Sequence, residues 1–79
     1  MGERQMTFGE RAVGLAFNPS GDGTVHELKT AAAEFIDICA AQREASDNPE
    51  VKRMYSVAIT EAQTAQMWAV KAATWRNNG

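Results

Sequence analysis

The chain is short of the residues that usually carry chemistry in a small protein. Its 79 residues include one cysteine, Cys39, and one histidine, His26. A lone cysteine closes no internal disulfide, so a reducing compartment is predicted. His26 has no cysteine or second histidine at ligand spacing, which excludes the common zinc patterns and predicts no metal. No apolar run exceeds a few residues before a charge interrupts it, so no bilayer-spanning helix is expected. Eight Lys+Arg against ten Asp+Glu give a net charge of −2 without any block of one sign. That balance argues against a general coat for DNA or RNA polymers and against a polybasic membrane anchor. Glu3, Arg4 and Gln5 stand where a secretory signal needs an apolar core, so a cytoplasmic protein is predicted.

What is present has a globular balance, 44% hydrophobic and 23% charged. The length allows one domain, residues 1–79, and a folded monomer of that size buries only about 60–65% of its unfolded surface. Association between copies would help it. Two clusters of turn formers divide the chain. The first, Asn18-Pro19-Ser20-Gly21-Asp22-Gly23, joins one fixed φ to two permissive glycines. Thr24 and Glu27 follow at capping-box spacing, which predicts a helix over 24–45 with Val25, Leu28, Ala32, Phe35, Ile36 and Cys39 on its apolar face. Lys29, Glu34, Asp37 and Arg43 fall mostly off that face. The second cluster is Ser46-Asp47-Asn48-Pro49. Asp47 or Asn48 can cap a helix that starts at Pro49 and runs without Gly or Pro over 49–76. Tyr55, Ala58, Ala62, Ala65, Ala69 and Ala72 form a small-residue stripe that predicts tight antiparallel packing on the first helix. Met54, Val57, Met67, Trp68, Val70 and Trp75 lie partly off it, and that leftover surface predicts self-association. The arm over 1–17, weakened by Gly9 and Gly14, reads as a short helical or irregular segment packing on a neighbour. The fold class is all-α.

Enzyme constellations are thin. Glu34 and Asp37 read as a solvated face and Cys39 as a core residue. The loop is more informative. Phe17 stands beside a Gly-rich turn that opens a helix, where backbone amides and the helix dipole favour anions. Lys29 follows little more than one turn into that helix and can meet a phosphate. An aromatic ring, the polar atoms of Asn18, Pro19, Ser20 and Gly21, and a lysine together make a nucleotide pocket. An ordinary helix-entry turn accounts for the same residues, and both readings stay open. Lys71 and Thr74, three residues apart among apolar neighbours, form a second candidate.

Three stretches go further: Ala-Phe-Asn-Pro-Ser-Gly-Asp, then Val-His-Glu-Leu-Lys, then Ala-Gln-Met-Trp-Ala-Val-Lys-Ala-Ala-Thr-Trp. Together they resemble the anti-CBASS cyclic-nucleotide sponges, small phage proteins that sequester a bacterial immune messenger. The resemblance runs from Phe8 to Trp75. It implies a helical homohexamer in the host bacterial cytoplasm, with no cofactor, binding cyclic dinucleotides such as cyclic GMP-AMP without cleaving them. Phe17 matches the family's base-stacking aromatic, and Lys29 matches its phosphate-binding lysine. Lys71 and Thr74 resemble the residues of a second site, for cyclic trinucleotides. Phe17 stands where a tyrosine is often seen. Lys71 replaces an arginine and so loses bidentate phosphate geometry. Two other functions fit the residues alone: a helical oligomer that binds a host protein, and an enzyme that degrades the messenger.

Overall fold

The computed structural model describes residues 5–75. Three helices follow in order: α1 (Phe8–Val13), α2 (Gly23–Ala45) and α3 (Pro49–Ala73). No strand occurs among the described residues. The first four residues of the arm and position 76, the expected helix end, lie outside the described residues. α3 itself stops earlier, at Ala73, where Thr74 caps it and its hydroxyl donates to the Val70 carbonyl at 2.9 Å.

Local chemistry sets each boundary. Thr7 and Glu10 form a reciprocal capping box at the start of α1, with both bonds at 3.0 Å. Gly14 ends α1 in the left-handed region at φ 64°, with the Gly14 and Leu15 amides donating to the Arg11 and Glu10 carbonyls. α2 is capped by Asp22, whose carboxylate accepts the Thr24 amide at 2.8 Å. The expected Thr24–Glu27 box is therefore replaced, because a carboxylate two residues upstream takes the free amide first. Asn48 caps α3, accepting from the Glu50 and Val51 amides, with Pro49 in the first turn. Glu50 and Arg53 pair at 2.6 Å on the exposed side of that turn, and the guanidinium holds the Glu50 carboxyl below its usual range.

α2 and α3 form an antiparallel hairpin, and α1 folds back on α2 of its own chain. The contact is close because Gly9 has no side chain: an added Cβ would overlap the Ala33 carbonyl and lie 2.9 Å from Asp37 Oδ1. Asp37, expected on a solvated face, instead accepts the Gly9 amide at 2.7 Å and holds the start of α1. Near the hairpin turn Arg43 donates to Ser56 Oγ at 2.9 Å, and Lys52 donates to the Arg43 carbonyl at 2.9 Å.

The core is small. Val13, Ala33, Ile36, Cys39 and Ile59 are buried together, with Tyr55, Ala58 and Ala62 packed against them. Phe35, expected on the apolar face of α2, is half-exposed, and Lys29 takes a buried place instead. The small-residue stripe of α3 packs only in part, because Ala65 and Ala72 are exposed. From Ala58 to Ala69 the stripe forms one wall of an open apolar groove of about 580 Å³, with Leu28 and Phe35 on the other. The backbone extends 46 × 37 × 12 Å, a flat shape. Met54, Val57, Met67, Trp68 and Trp75 stay exposed as a result.

Replacing Gly9 by Ala should cost about 1–3 kcal/mol of stability, the usual penalty for overpacking against a rigid neighbour. Urea unfolding followed by circular dichroism measures it. An unchanged midpoint would mean that α1 does not approach α2 this closely.

Candidate nucleotide-binding site

The turn between α1 and α2 is built from side chains that satisfy one another. Asn18 Nδ2 donates to the Asp22 carbonyl at 3.0 Å, and Ser20 Oγ donates to Asn18 Oδ1 at 3.0 Å. Ser20 Oγ also accepts the Asp22 amide at 3.2 Å. Gly21 supplies the left-handed residue at φ 65° that lets the chain reverse. Asn18 and Ser20 thus hold the turn in shape. Phe17 stands before it with 72% of its surface exposed, an unusual place for a large apolar ring.

Lys29 lies beneath this ring. The lysine is only 6% exposed. Its ammonium donates to the Gly14 carbonyl at 3.0 Å and to the Phe17 carbonyl, and lies 5.5 Å from the Phe17 ring centroid. Both oxygens belong to neutral peptide groups. No carboxylate pairs with Lys29 among the described residues. A buried cation normally finds a counter-charge, and an ammonium has three donors, so one donor and the net charge remain for an anion.

A pocket of about 380 Å³ opens between the turn and the end of α3. Phe17, Asn18, Pro19 and Ser20 form its rim; Val25 and Lys29 come from α2, and Gln66, Met67, Val70 and Thr74 from α3 and its cap. Its volume falls within the range of small-molecule sites, roughly 300–1,000 Å³. The turn residues expected at a ligand site therefore share one cavity with Lys29, apart from Gly21, which does not line it. Thr74 stands in the same wall. Lys71 does not: its ammonium is exposed and lies 5.5 Å from the Trp68 ring and 6.0 Å from the Trp75 ring. Those three residues and Ala72 line a separate open hollow. Val25, Gln66, Met67 and Val70 were missed as pocket residues. Gln66 carries a readable signal, since it shares one helical face with Ile59 and Val70, where a polar side chain is out of place.

The model of the Acb2/Tad1 hairpin domain matches residues 10–74, which includes both long helices and every residue of this pocket. The chain belongs to the Acb2/Tad1 hairpin-domain family. This is the anti-CBASS sponge family, linked to the sequestration of cyclic nucleotides. No curated protein and no solved structure matches the chain. The family is one of binding proteins. Among the described residues no helix is long and apolar enough to cross a membrane, and no group of His, Cys, Asp and Glu is placed to hold a metal.

Lys29 does more in this site than offer charge, because it holds two carbonyls of the segment that carries Phe17. Replacing it by Met, which keeps length and removes the donors, should speed hydrogen exchange of the Phe17 amide several-fold and leave the middle of α3 unchanged. Exchange rates read by NMR test this. Equal rates at Phe17 would show that the segment holds its shape without the ammonium.

Proposed function

We infer that the protein sequesters cyclic dinucleotides, of the cyclic GMP-AMP type, in the Phe17–Lys29 pocket and releases them intact. The observation that carries this reading is the buried, carboxylate-free ammonium of Lys29 directly beside the exposed Phe17 ring. A base stacks on the ring, and a phosphate supplies the missing negative charge. Asn18, Pro19 and Ser20 close the rim around the sugar. No side chain lining the cavity is a histidine, a carboxylate or a thiol. The site therefore offers no general base with which to cleave a phosphodiester, and sequestration without turnover is the function it supports.

The assembly belongs to the same proposal. A chain this flat leaves the α2–α3 groove and the Trp68–Trp75 face open, and a homohexamer would cover such surfaces while sharing ligands between subunits. The reading places the protein in the host bacterial cytoplasm, where the messenger is made. A cyclic trinucleotide is the second ligand proposed. Lys71 from several copies, each flanked by indoles, would meet its repeated phosphates, with Thr74 at the edge of the same helix end.

Retention followed by release tests the function. The protein, incubated with cyclic GMP-AMP, passed through a desalting column and then heated, should yield intact ligand from the denatured fraction. Linear products would make it an enzyme, and an empty protein fraction would favour a protein-binding role. Phe17→Ala should weaken dinucleotide binding by about 1–3 kcal/mol, the usual worth of one base on an aromatic ring. The same retention assay with cyclic triadenylate, on wild type and Lys71→Ala, decides whether the second ligand is real.

For assembly, sedimentation equilibrium at micromolar concentration should give a mass several times the 8.6 kDa of the chain. A monomer that retains tight binding would overturn the shared-ligand model.

A further inference from the structure

The outward side of α3 carries a line of residues that the hairpin leaves bare. Val57, Glu61, Thr64, Trp68, Lys71 and Trp75 recur at alternating steps of four and three, and each is exposed. That spacing matches the seam of a two-stranded coiled coil. Ile59 and Gln66, the buried residues of α3, each follow a seam residue by two positions, about 200° round the helix, so the line faces away from α2. Trp75 stands just past the end of α3. The Lys71 ammonium nevertheless lies 5.5 Å from the Trp68 ring and 6.0 Å from the Trp75 ring, which keeps all three on one side. The two indoles are 66% and 59% exposed, and large rings bare on one line mark an interaction surface. Among the described residues neither Glu61 nor Lys71 has an oppositely charged partner.

We propose that α3 pairs with α3 of a second copy, antiparallel and about a two-fold axis, with Glu61 of each copy facing Lys71 of the other. This rests on the assembly reading above and names the face, direction and register of one contact. A parallel pair would set like positions opposite each other, Glu61 on Glu61 and Lys71 on Lys71, and both would repel. In the antiparallel register Val57 lies opposite Trp75 and Thr64 opposite Trp68, so each indole meets a smaller side chain. Sliding by one heptad either way sets Lys71 against Met54 or Trp68, and neither is a carboxylate. The indoles supply the buried surface, and two symmetric charge pairs set direction and register. No seam residue lines the Phe17 pocket, so the pairing leaves that site open. Such an isologous contact joins two copies, and a hexamer needs a second kind of contact to join the pairs. The pairing gives Lys71 a carboxylate to answer in place of the phosphate of a cyclic trinucleotide.

Charge reversal and its repair test the register. Glu61→Lys and Lys71→Glu both fall on exposed positions, and circular dichroism checks that helix content is kept. In sedimentation equilibrium at micromolar concentration, each alone should weaken association at least about tenfold, because two like-charged pairs then face each other. The two changes together restore opposite charges and should recover the wild-type mass. Both tryptophans of the chain lie on the seam, so wild-type emission should also move to the red on dilution to nanomolar concentration. That measurement needs no variant to fold, and emission that stays unchanged while the mass falls overturns the proposal. A wild-type monomer at micromolar concentration defeats the assembly reading itself. A wild-type oligomer whose mass survives both single changes defeats only this seam. Failure of the doubly changed chain to recover its mass, with helix content intact, overturns the register. Cyclic triadenylate held by wild type and lost in Lys71→Ala also overturns it, because the ammonium would then serve a phosphate.

Discussion

The structure depends on the constraint that its helices lie in one layer. A compact chain of this length would have a radius of gyration of about 12 Å, whereas this one reaches 14.3 Å. A helix in a single layer can bury only the edges that face its neighbours. The buried apolar set is accordingly short, and among the described residues Ile36 is its only large side chain that is fully enclosed. What the layer lacks in burial it makes up partly with polar connections at the crossings. Asp37 ties α1 to α2, and Arg43 and Lys52 tie α2 to α3 at the turn. These bonds fix helix positions that a fuller core would fix by packing, each at a net worth of about 1 kcal/mol.

The same geometry explains why the site lies at the open end of the hairpin. Contacts within the core cluster end near Ala62 on α3, and beyond that Val25 is the buried apolar residue of α2 that faces the end of α3. The α1–α2 turn fills part of the gap and leaves the rest as the pocket. A lysine can be buried there because the turn brings two carbonyl oxygens to its ammonium, replacing water with fixed dipoles. Those dipoles solvate the charge without cancelling it, as a carboxylate would. An anion arriving at the pocket then meets a full positive charge in a partly dry setting, where attraction is stronger than in water.

Much of this was legible in the residues. Pro49 with Asn48 marked the start of α3, and the Asn18–Gly23 cluster marked the entry to α2. The exposed aromatic and the lysine were identifiable from the Gly-rich turn that opens a helix between them, and resemblance to a known family gave them their roles. Charge misled at Lys29: the residue stands four after Val25 and seven before Ile36, on the buried face, yet its ammonium placed it outside. Leu28 and Phe35, one position earlier on the wheel, took its place in the expected core. The arm forms the short helix that its residues allow, although its glycines argue against one. Gly9 and Gly14 look like helix weakeners, but one allows backbone contact with α2 and the other ends the helix with its positive φ. Thr7 and Glu10 carried the capping-box pattern and were overlooked because the glycines drew more weight. Gln66 was hidden because the second face of α3 has a meaning only once the turn is seen to pack near it.

The turn whose side chains bond one another has a consequence for speed. A rim that is already ordered needs no folding step when a small molecule arrives, and little of the interaction energy is lost to ordering it. Capture then proceeds at the rate of encounter, and differences in holding time come from departure. Under the proposed sequestration of a scarce signal, such a rim favours early interception. A floppy loop with the same contacts would lose part of their energy to ordering and would also arrive later.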